Sequence, residues 1–385
     1  MPAMKNASRS KSKPVSPAAP GPRSKAGGRV SGRVPQSEGG ERSLIAAIRS
    51  RAGSARGSLR VGIGDDCAVL RPPAGSEIVV TTDLSLEQVH FRRDWHAPEV
   101  VGHRCLARGL SDLAAMGARP LAAFLSVAVP AELTTRGNGK SWLDRFLDGL
   151  LALAGEVKVA LAGGDTAQSP EFDARGARQA GLAAADIVLL GTVKQGHALR
   201  RSGAKAGDVI YVTGELGGSA AELLAVGRDP GRFAEMTRAS SGHPHLFPVP
   251  RLAAAQRLVS TRRIHAGIDL SDGLSTDLAH ICEESGVAAE LDAAAIPIHP
   301  LAAQAEEDGW VPSALALALH GGEDYELLFT APKWTAIPRR IAGVNLHPIG
   351  QIMARKGRRP RIMLHERDGH STALEAAGWE HFSGR

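Results

Sequence analysis

Cysteine is nearly missing from this chain: three residues in 385, at positions 67, 105 and 282, with no CxxC pair. That spacing excludes a disulfide framework and a structural zinc ribbon, and it fits a reducing cytoplasm. Aromatic residues make up 4% of the chain, so a core has to rest on Ala, Leu, Val and Ile. No apolar run reaches the roughly 18 residues of a membrane span, and no signal-peptide core is present, so no membrane association is expected. Also absent are GxxxxGK[ST], a GxGxxG opening a helix after the first strand, GxSxG and HExxH. Their absence sets aside P-loop, dinucleotide-binding, serine-hydrolase and zincin chemistry.

Acid is missing from residues 1–37, which hold eight of the 46 Lys and Arg. The other 38 face 40 Asp and Glu. The body is therefore slightly acidic, and the formal charge of +6 gives no reason to expect nucleic acid as a partner. Residues 1–41 are rich in Ser, Pro, Gly and Ala and read as a disordered basic tail. Pro and Gly there argue against the amphipathic helix of a transit peptide.

What is present is carboxylate, placed repeatedly after apolar runs. Helical spacing covers 42–52, 99–116 and 141–154, and strands are expected at 78–83, 122–129, 157–163 and 186–193. Past Gly196, strands at 208–214, 266–270, 325–331 and 347–352 alternate with helices at 219–227, 250–259 and 274–285. This pattern predicts an α/β (α+β) protein of two domains, 42–195 and 196–385. GIGDDCAVL (62–70), VVTTDLSLEQVHF (79–91), GLSDLAAMG (109–117), LAGGDT (161–166), GIDLSDG (267–273) and GGEDYELLF (321–329) all end in or contain acid beside Gly, Ser or Thr. Any one of them reads equally well as a capped turn. Carboxylates gathered at strand ends repel one another, and hard cations with bound phosphate are the usual tenants of such a cluster.

Several residues carry this reading. Of Asp65 and Asp66, adjacent in an extended segment, one faces a metal. Thr81, Thr82 and Asp83 end an apolar strand. Asp112 lies in an otherwise apolar helix and needs a partner. Gly163, Gly164, Asp165 and Thr166 read as a glycine turn after a strand, able to bring N–H groups to phosphate. Asp269, Ser271 and Asp272 lead into a helix N-terminus, and Glu323 and Asp324 repeat the arrangement. Arg200 and Arg201 open a basic turn that either clamps phosphate or stays solvated.

GIGDDCAVL, LSDLAAMGARP, GGDT, RRSGAKAGD, DLSDG and GGEDYEL, in that order, resemble the thiamine-monophosphate kinase family, related to aminoimidazole ribonucleotide synthetase and selenophosphate synthetase. The resemblance covers about 43–382. It implies an N-terminal domain that dimerises through its sheet, a C-terminal α/β domain, and ATP-dependent conversion of thiamine monophosphate to thiamine diphosphate. It further implies that Asp66, Thr81, Thr82, Asp83, Asp112, Asp165, Asp269 and Asp272 hold several Mg²⁺ ions. Gly164, Arg201 and Ser271 would contact ATP, and His90, Glu323 and Trp379 the substrate. Leu84 and Gln88 stand where the family's DTLVEGVHF has a hydroxyl residue and a glycine. The acceptor is already an anion at neutral pH, so no general base or covalent nucleophile is expected. The rival readings are another ATP-dependent synthetase of the superfamily and a catalytically inactive nucleotide-binding regulator.

Overall fold

The computed structural model describes residues 40–379, except 138, 172–175, 178, 180, 241 and 358–360. The expected tail lies outside the described residues up to residue 39, and so do residues 380–385.

The first half is a four-stranded sheet in the order Ser76–Leu86, Ala184–Lys194, Arg119–Val129, Ala160–Gln168. The first three strands are antiparallel neighbours, and the last pairs in parallel. Helices Pro98–Ala115 and Trp142–Val157 pack on one face. Leu106, Leu110 and Leu113 point down from the first helix and are fully buried. Each contributes about 1.5–3 kcal/mol by leaving water. The two helices meet backbone to backbone. A Cβ on Gly102 would lie 1.9 Å from the Phe146 carbonyl oxygen, so only glycine permits the approach. Ser141 and Asp144 form a capping box that starts the second helix.

Because side chains alternate along a strand, the opposite face of this sheet carries its own row. Ile78, Val80 and Leu84 lie there, 44%, 57% and 51% exposed. No helix covers this open face over the Ser76–Leu86 strand among the described residues.

The second half is built on an eight-stranded sheet. Its main path runs Ser371–Ala373, Ile362–His365, Val287–Asp292, Val344–Ala354, Asp208–Thr213, Leu327–Pro332, Ala266–Asp269, with Arg340–Ile341 paired to Val344–Ala354. Helices Gly218–Arg228, Leu252–Ser260 and Leu274–Ser285 match the expected ones. Strands Val287–Asp292 and Ile362–His365 and helices Pro300–Glu307 and Ala314–His320 were not expected. The last helix is a plain alternation of Ala and Leu, which carries no helical period. No helix among the described residues is long and apolar enough to cross a membrane.

One local expectation is corrected. GGDT is no turn: Gly163 to Thr166 continue the strand Ala160–Gln168, in parallel register with Phe124–Val127. The register slips at Ala123/Phe124. Gly164 takes φ 148°, and a Cβ there would meet the Leu125 carbonyl oxygen at 1.8 Å. The glycines serve a close strand approach at an irregularity.

Candidate active site

The acidic segments gather in two cavities, one on each side of the first sheet. The larger set of them lines a cavity of about 450 Å³ on the helix-covered side. Asp83 comes from within the strand, which continues to Leu86 rather than ending at Asp83 as expected, Asp112 and Arg108 from helix Pro98–Ala115, Asp269, Ser271 and Asp272 from the DLSDG segment, and Glu323 from the GGEDY loop. His90 and Trp379 line it as well.

The carboxylates are buried and crowded. Thr81 donates its hydroxyl to Asp112 Oδ2 at 2.5 Å, the partner that a carboxylate within an apolar helix requires. Ser111, one residue earlier, donates to Asp269 Oδ2 at 2.7 Å. Arg108 pairs with Asp83 at 2.8 Å. These contacts do not offset the desolvation. Burial, with Asp112, Glu323 and Asp186 nearby, pushes Asp83 up to about 7 against the pull of Arg108. Burial and Asp112 push Asp269 up to about 7. Asp112 is raised by burial too, opposed by the Thr81 hydroxyl, Arg201 and Arg108. Arg201, from the basic turn, is thus electrostatically part of this site. Three carboxylates that cannot comfortably ionise together form a hard-oxygen donor set that fits divalent cations.

Two acidic residues turn out to shape backbone. Asp277, 1% exposed, was not singled out by sequence. Its Oδ2 accepts from the N–H groups of Ser271, Asp272 and Gly273, each at 3.1 Å. It holds the DLSDG turn in place ahead of helix Leu274–Ser285. Asp324 accepts from the N–H groups of Gly217 at 2.8 Å and Ser219 at 3.3 Å. It therefore caps helix Gly218–Arg228, and Glu323 alone of the pair lines the cavity.

A buried basic network, also missed by sequence, holds Glu323. Arg104, 3% exposed, donates from Nη2 to both Glu323 oxygens at 2.9 Å and from Nη1 to the His245 carbonyl oxygen. His245 lies 3.1 Å from His96 between ring nitrogens. Burial would raise Glu323, but Arg104 and His245 outweigh it and hold the carboxyl well below its usual range. Burial pushes His96 down to about 3 and lowers His245 as well. His90 Nδ1 accepts from the Leu86 N–H at 3.0 Å, which fixes the loop after the strand.

Trp379 reaches the cavity because the chain before it is tied to helix Leu274–Ser285. Gly378 donates to Thr276 Oγ1 at 3.1 Å, and the Trp379 N–H donates to the Asp272 carbonyl oxygen at 3.3 Å. The indole is 58% exposed, so it is no hydrophobic plug.

The second cavity, about 700 Å³, lies on the open side and holds Asp65, Asp66, Gly164, Asp165 and Thr166. Asp165 shares a row with Ser126, Asp186 and Leu84 across the sheet. Thr82, in register with Val188 and through it Phe124, also lies on this open face. Within one chain, Asp66, Thr82 and Asp165 are thus separated by the sheet from Asp83, Asp112, Asp269 and Asp272, while Gly164 lines the open-side cavity from the strand row that it shares with Leu125, Ile187 and Asp83.

Comparison with known proteins shows the family. Residues 64–191 match the AIR synthase related protein N-terminal domain and 205–358 the corresponding C-terminal domain. A thiamine-monophosphate kinase of Salmonella typhimurium is 39% identical over 350 residues, covering 89% of this chain and 98% of the relative. The crystal structure of thiamine-monophosphate kinase from Stenotrophomonas maltophilia is 35% identical, with a TM-score of 0.65 over 86% of this chain and 96% of that one. A structure of AaThiL complexed with AMPPCP and TMP, 27% identical, covers 90% of this chain and 98% of its own with a TM-score of 0.64. This chain belongs to the thiamine-monophosphate kinase family.

Proposed function

We propose that the protein transfers the γ-phosphoryl group of ATP to thiamine monophosphate, giving thiamine diphosphate, by direct in-line attack. The observation that carries this is the convergence of Asp83, Asp112, Asp269 and Asp272 on one cavity that is also lined by an anionic Glu323 and an exposed indole. Asp83, Asp112, Asp269 and Asp272, with the Thr81 hydroxyl, would hold Mg²⁺. When bound, the ions screen the repulsion between the two polyanions and stabilise charge on the transferred group. Arg201 and Arg108 add fixed positive charge at the same end. The acceptor phosphate has its second pKa near 6, so it arrives ionised and asks no side chain for proton removal. Glu323, held ionised by Arg104, suits the substrate's thiazolium cation, and Trp379 offers it an aromatic face. An indole under a cation contributes about 0.5–2 kcal/mol. Ser271 lies where nucleotide would meet the DLSDG turn.

Asp66, Thr82, Gly164 and Asp165 enter through a second copy of the chain. An exposed apolar row on a sheet face is an association surface. Pairing two copies through Ile78, Val80 and Leu84 would cover it and bring one copy's open-side carboxylates to the other's site. The working unit is thus a homodimer, with the 42–195 domain as its interface and nucleotide-binding part and the 196–385 domain closing the site. Three free cysteines, one of them exposed, suit a cytoplasmic enzyme. The test is purified protein with ATP, Mg²⁺ and thiamine monophosphate, read as ADP and thiamine diphosphate. Radiolabelled phosphate trapped on the protein without acceptor would overturn direct transfer.

A further inference from the structure

Six described non-glycine residues take a left-handed backbone: Gln88, Lys158, Arg262, Glu323, Tyr325 and Ala342. Three of them end regular elements. Lys158 caps helix Trp142–Val157, Arg262 follows the cap of helix Leu252–Ser260, and Ala342 makes the tight turn between Ile341 and its partner Val344. The other three, Gln88, Glu323 and Tyr325, all line the helix-side cavity. Backbone strain that no cap or hairpin explains collects at sites where a side chain must be aimed.

Gln88 sits in a tight turn, where the Leu86 carbonyl oxygen accepts from the N–H groups of Val89 at 3.2 Å and His90 at 2.9 Å. Its φ is 69°, a value that glycine adopts without cost and a straight-chain amide does not. Its N–H donates to the Phe91 carbonyl oxygen at 2.7 Å, which closes the loop after strand Ser76–Leu86. Its side-chain amide, exposed at the cavity, bonds to no described residue. It lies five residues beyond Asp83, past the strand end, and Val89, Trp95 and Leu223 also line the cavity. The loop after the strand thus brings apolar Val89 and one unused carboxamide to the cavity and carries none of the four carboxylates.

We propose that Gln88 is a specificity-determining residue that pairs with the aminopyrimidine edge of the substrate. The proposal rests on reading the cavity as a thiamine monophosphate site. A phosphate at the carboxylate end leaves the flat ring for the other end. A 4-aminopyrimidine presents an amino donor beside a ring-nitrogen acceptor. A carboxamide presents the complementary carbonyl and amino groups side by side, the geometry by which glutamine or asparagine reads adenine.

The test compares wild type with Gln88→Gly and Gln88→Asn on two acceptors: thiamine monophosphate and its des-amino analogue, with hydrogen in place of the pyrimidine amino group. Wild type is expected to favour the natural acceptor by about tenfold or more in kcat/KM, since the analogue leaves the carboxamide oxygen unpaired. Gln88→Gly should lose most of that preference through a higher KM for thiamine monophosphate, with the KM for ATP unchanged. Its melting temperature should be equal or higher, because the strained backbone is relieved. Gln88→Asn, which keeps an amide and tolerates the left-handed backbone, should fall between. A glycine variant that retains the wild-type preference, or whose KM rises equally for both acceptors, would overturn the role of Gln88 alone. Wild-type protein that turns over neither acceptor would overturn the cavity reading and the proposal with it.

Discussion

The two sides of the first sheet receive the same kind of residue and treat it differently. On the helix side, Asp83, Asp112 and Asp269 are enclosed by helix Pro98–Ala115 and the second-half sheet, and burial drives Asp83 and Asp269 up to about 7. On the open side, Asp65, Asp66 and Asp165 stand exposed in a wide cleft. A strand end that delivers acid is therefore not yet a site. Enclosure turns the acid into a demand for cations, and only one face of this sheet supplies it within a single chain. The open face instead offers uncovered Ile78, Val80 and Leu84, which is what a second copy would enclose.

The sharpest way to break this comparison is to remove one carboxylate from each side. Asp112→Asn and Asp165→Asn should each lower turnover by orders of magnitude with the fold intact, because losing a ligand charge weakens cation binding. If the two sides meet across a dimer, mixing the two inactive variants with subunit exchange restores activity. Half of the random dimers are mixed and each regains one intact site, so the yield is about a quarter of wild type. No recovery despite proven exchange would place both residues in the same chain's site.

Val80→Arg tests the open face directly. A charge in the middle of the exposed row should convert dimers to monomers in sedimentation and lower activity by about tenfold or more. The melting temperature of the monomer should stay near wild type, since Val80 is 57% exposed. Dimers with full activity would show that this face is not the interface.

A smaller effect separates the sides by pH. Asp83 and Asp269 sit near 7 in the folded chain against an ordinary 3.8, so between those values the folded state binds more protons than the unfolded one. Stability then falls as pH rises through that window. Metal-free protein should melt several degrees lower at pH 8 than at pH 5, and Mg²⁺ should reverse the loss. In Asp269→Asn the pH dependence should shrink. A melting temperature that rises with pH in the absence of metal would contradict the enclosed-carboxylate account.

Much of this arrangement was legible in sequence. The apolar helix around Asp112 announced a carboxylate needing a partner, whereas the strand expected to end at Asp83 runs on to Leu86 and keeps that carboxylate partly buried. Period-two alternation spoke for Asp65 and Asp66 alone, and it is Thr81 and Thr82, expected to serve together, that the structure places on opposite faces of the sheet. What sequence could not give was contact across long separations. Arg104 meets His245 across 141 residues and Glu323 across 219, and nothing local marks any of the three as a network. Asp277 and Asp324 looked like more acid near glycine, but only backbone geometry shows them accepting from N–H groups. GGDT reads as a turn because glycine is rare inside strands, and only the Leu125 carbonyl explains the exception.

The smallest expected effect belongs to Trp379, at the rim of the enclosed side. Its backbone is anchored to the start of helix Leu274–Ser285, yet its ring is 58% exposed and lines the cavity. A ring that merely pinned the chain end would be buried, and its removal would cost stability. A ring that faces a bound thiazolium loses only the cation–aromatic term, about 0.5–2 kcal/mol. Trp379→Ala should therefore raise the KM for thiamine monophosphate by roughly two- to thirtyfold. The KM for ATP and the melting temperature should remain close to wild type. Trp379→Phe, which keeps a weaker aromatic face, should recover part of the loss. Equal changes in both Michaelis constants, or a drop in melting temperature with neither changed, would assign the indole to packing and leave Glu323 as the group that receives the substrate's cation.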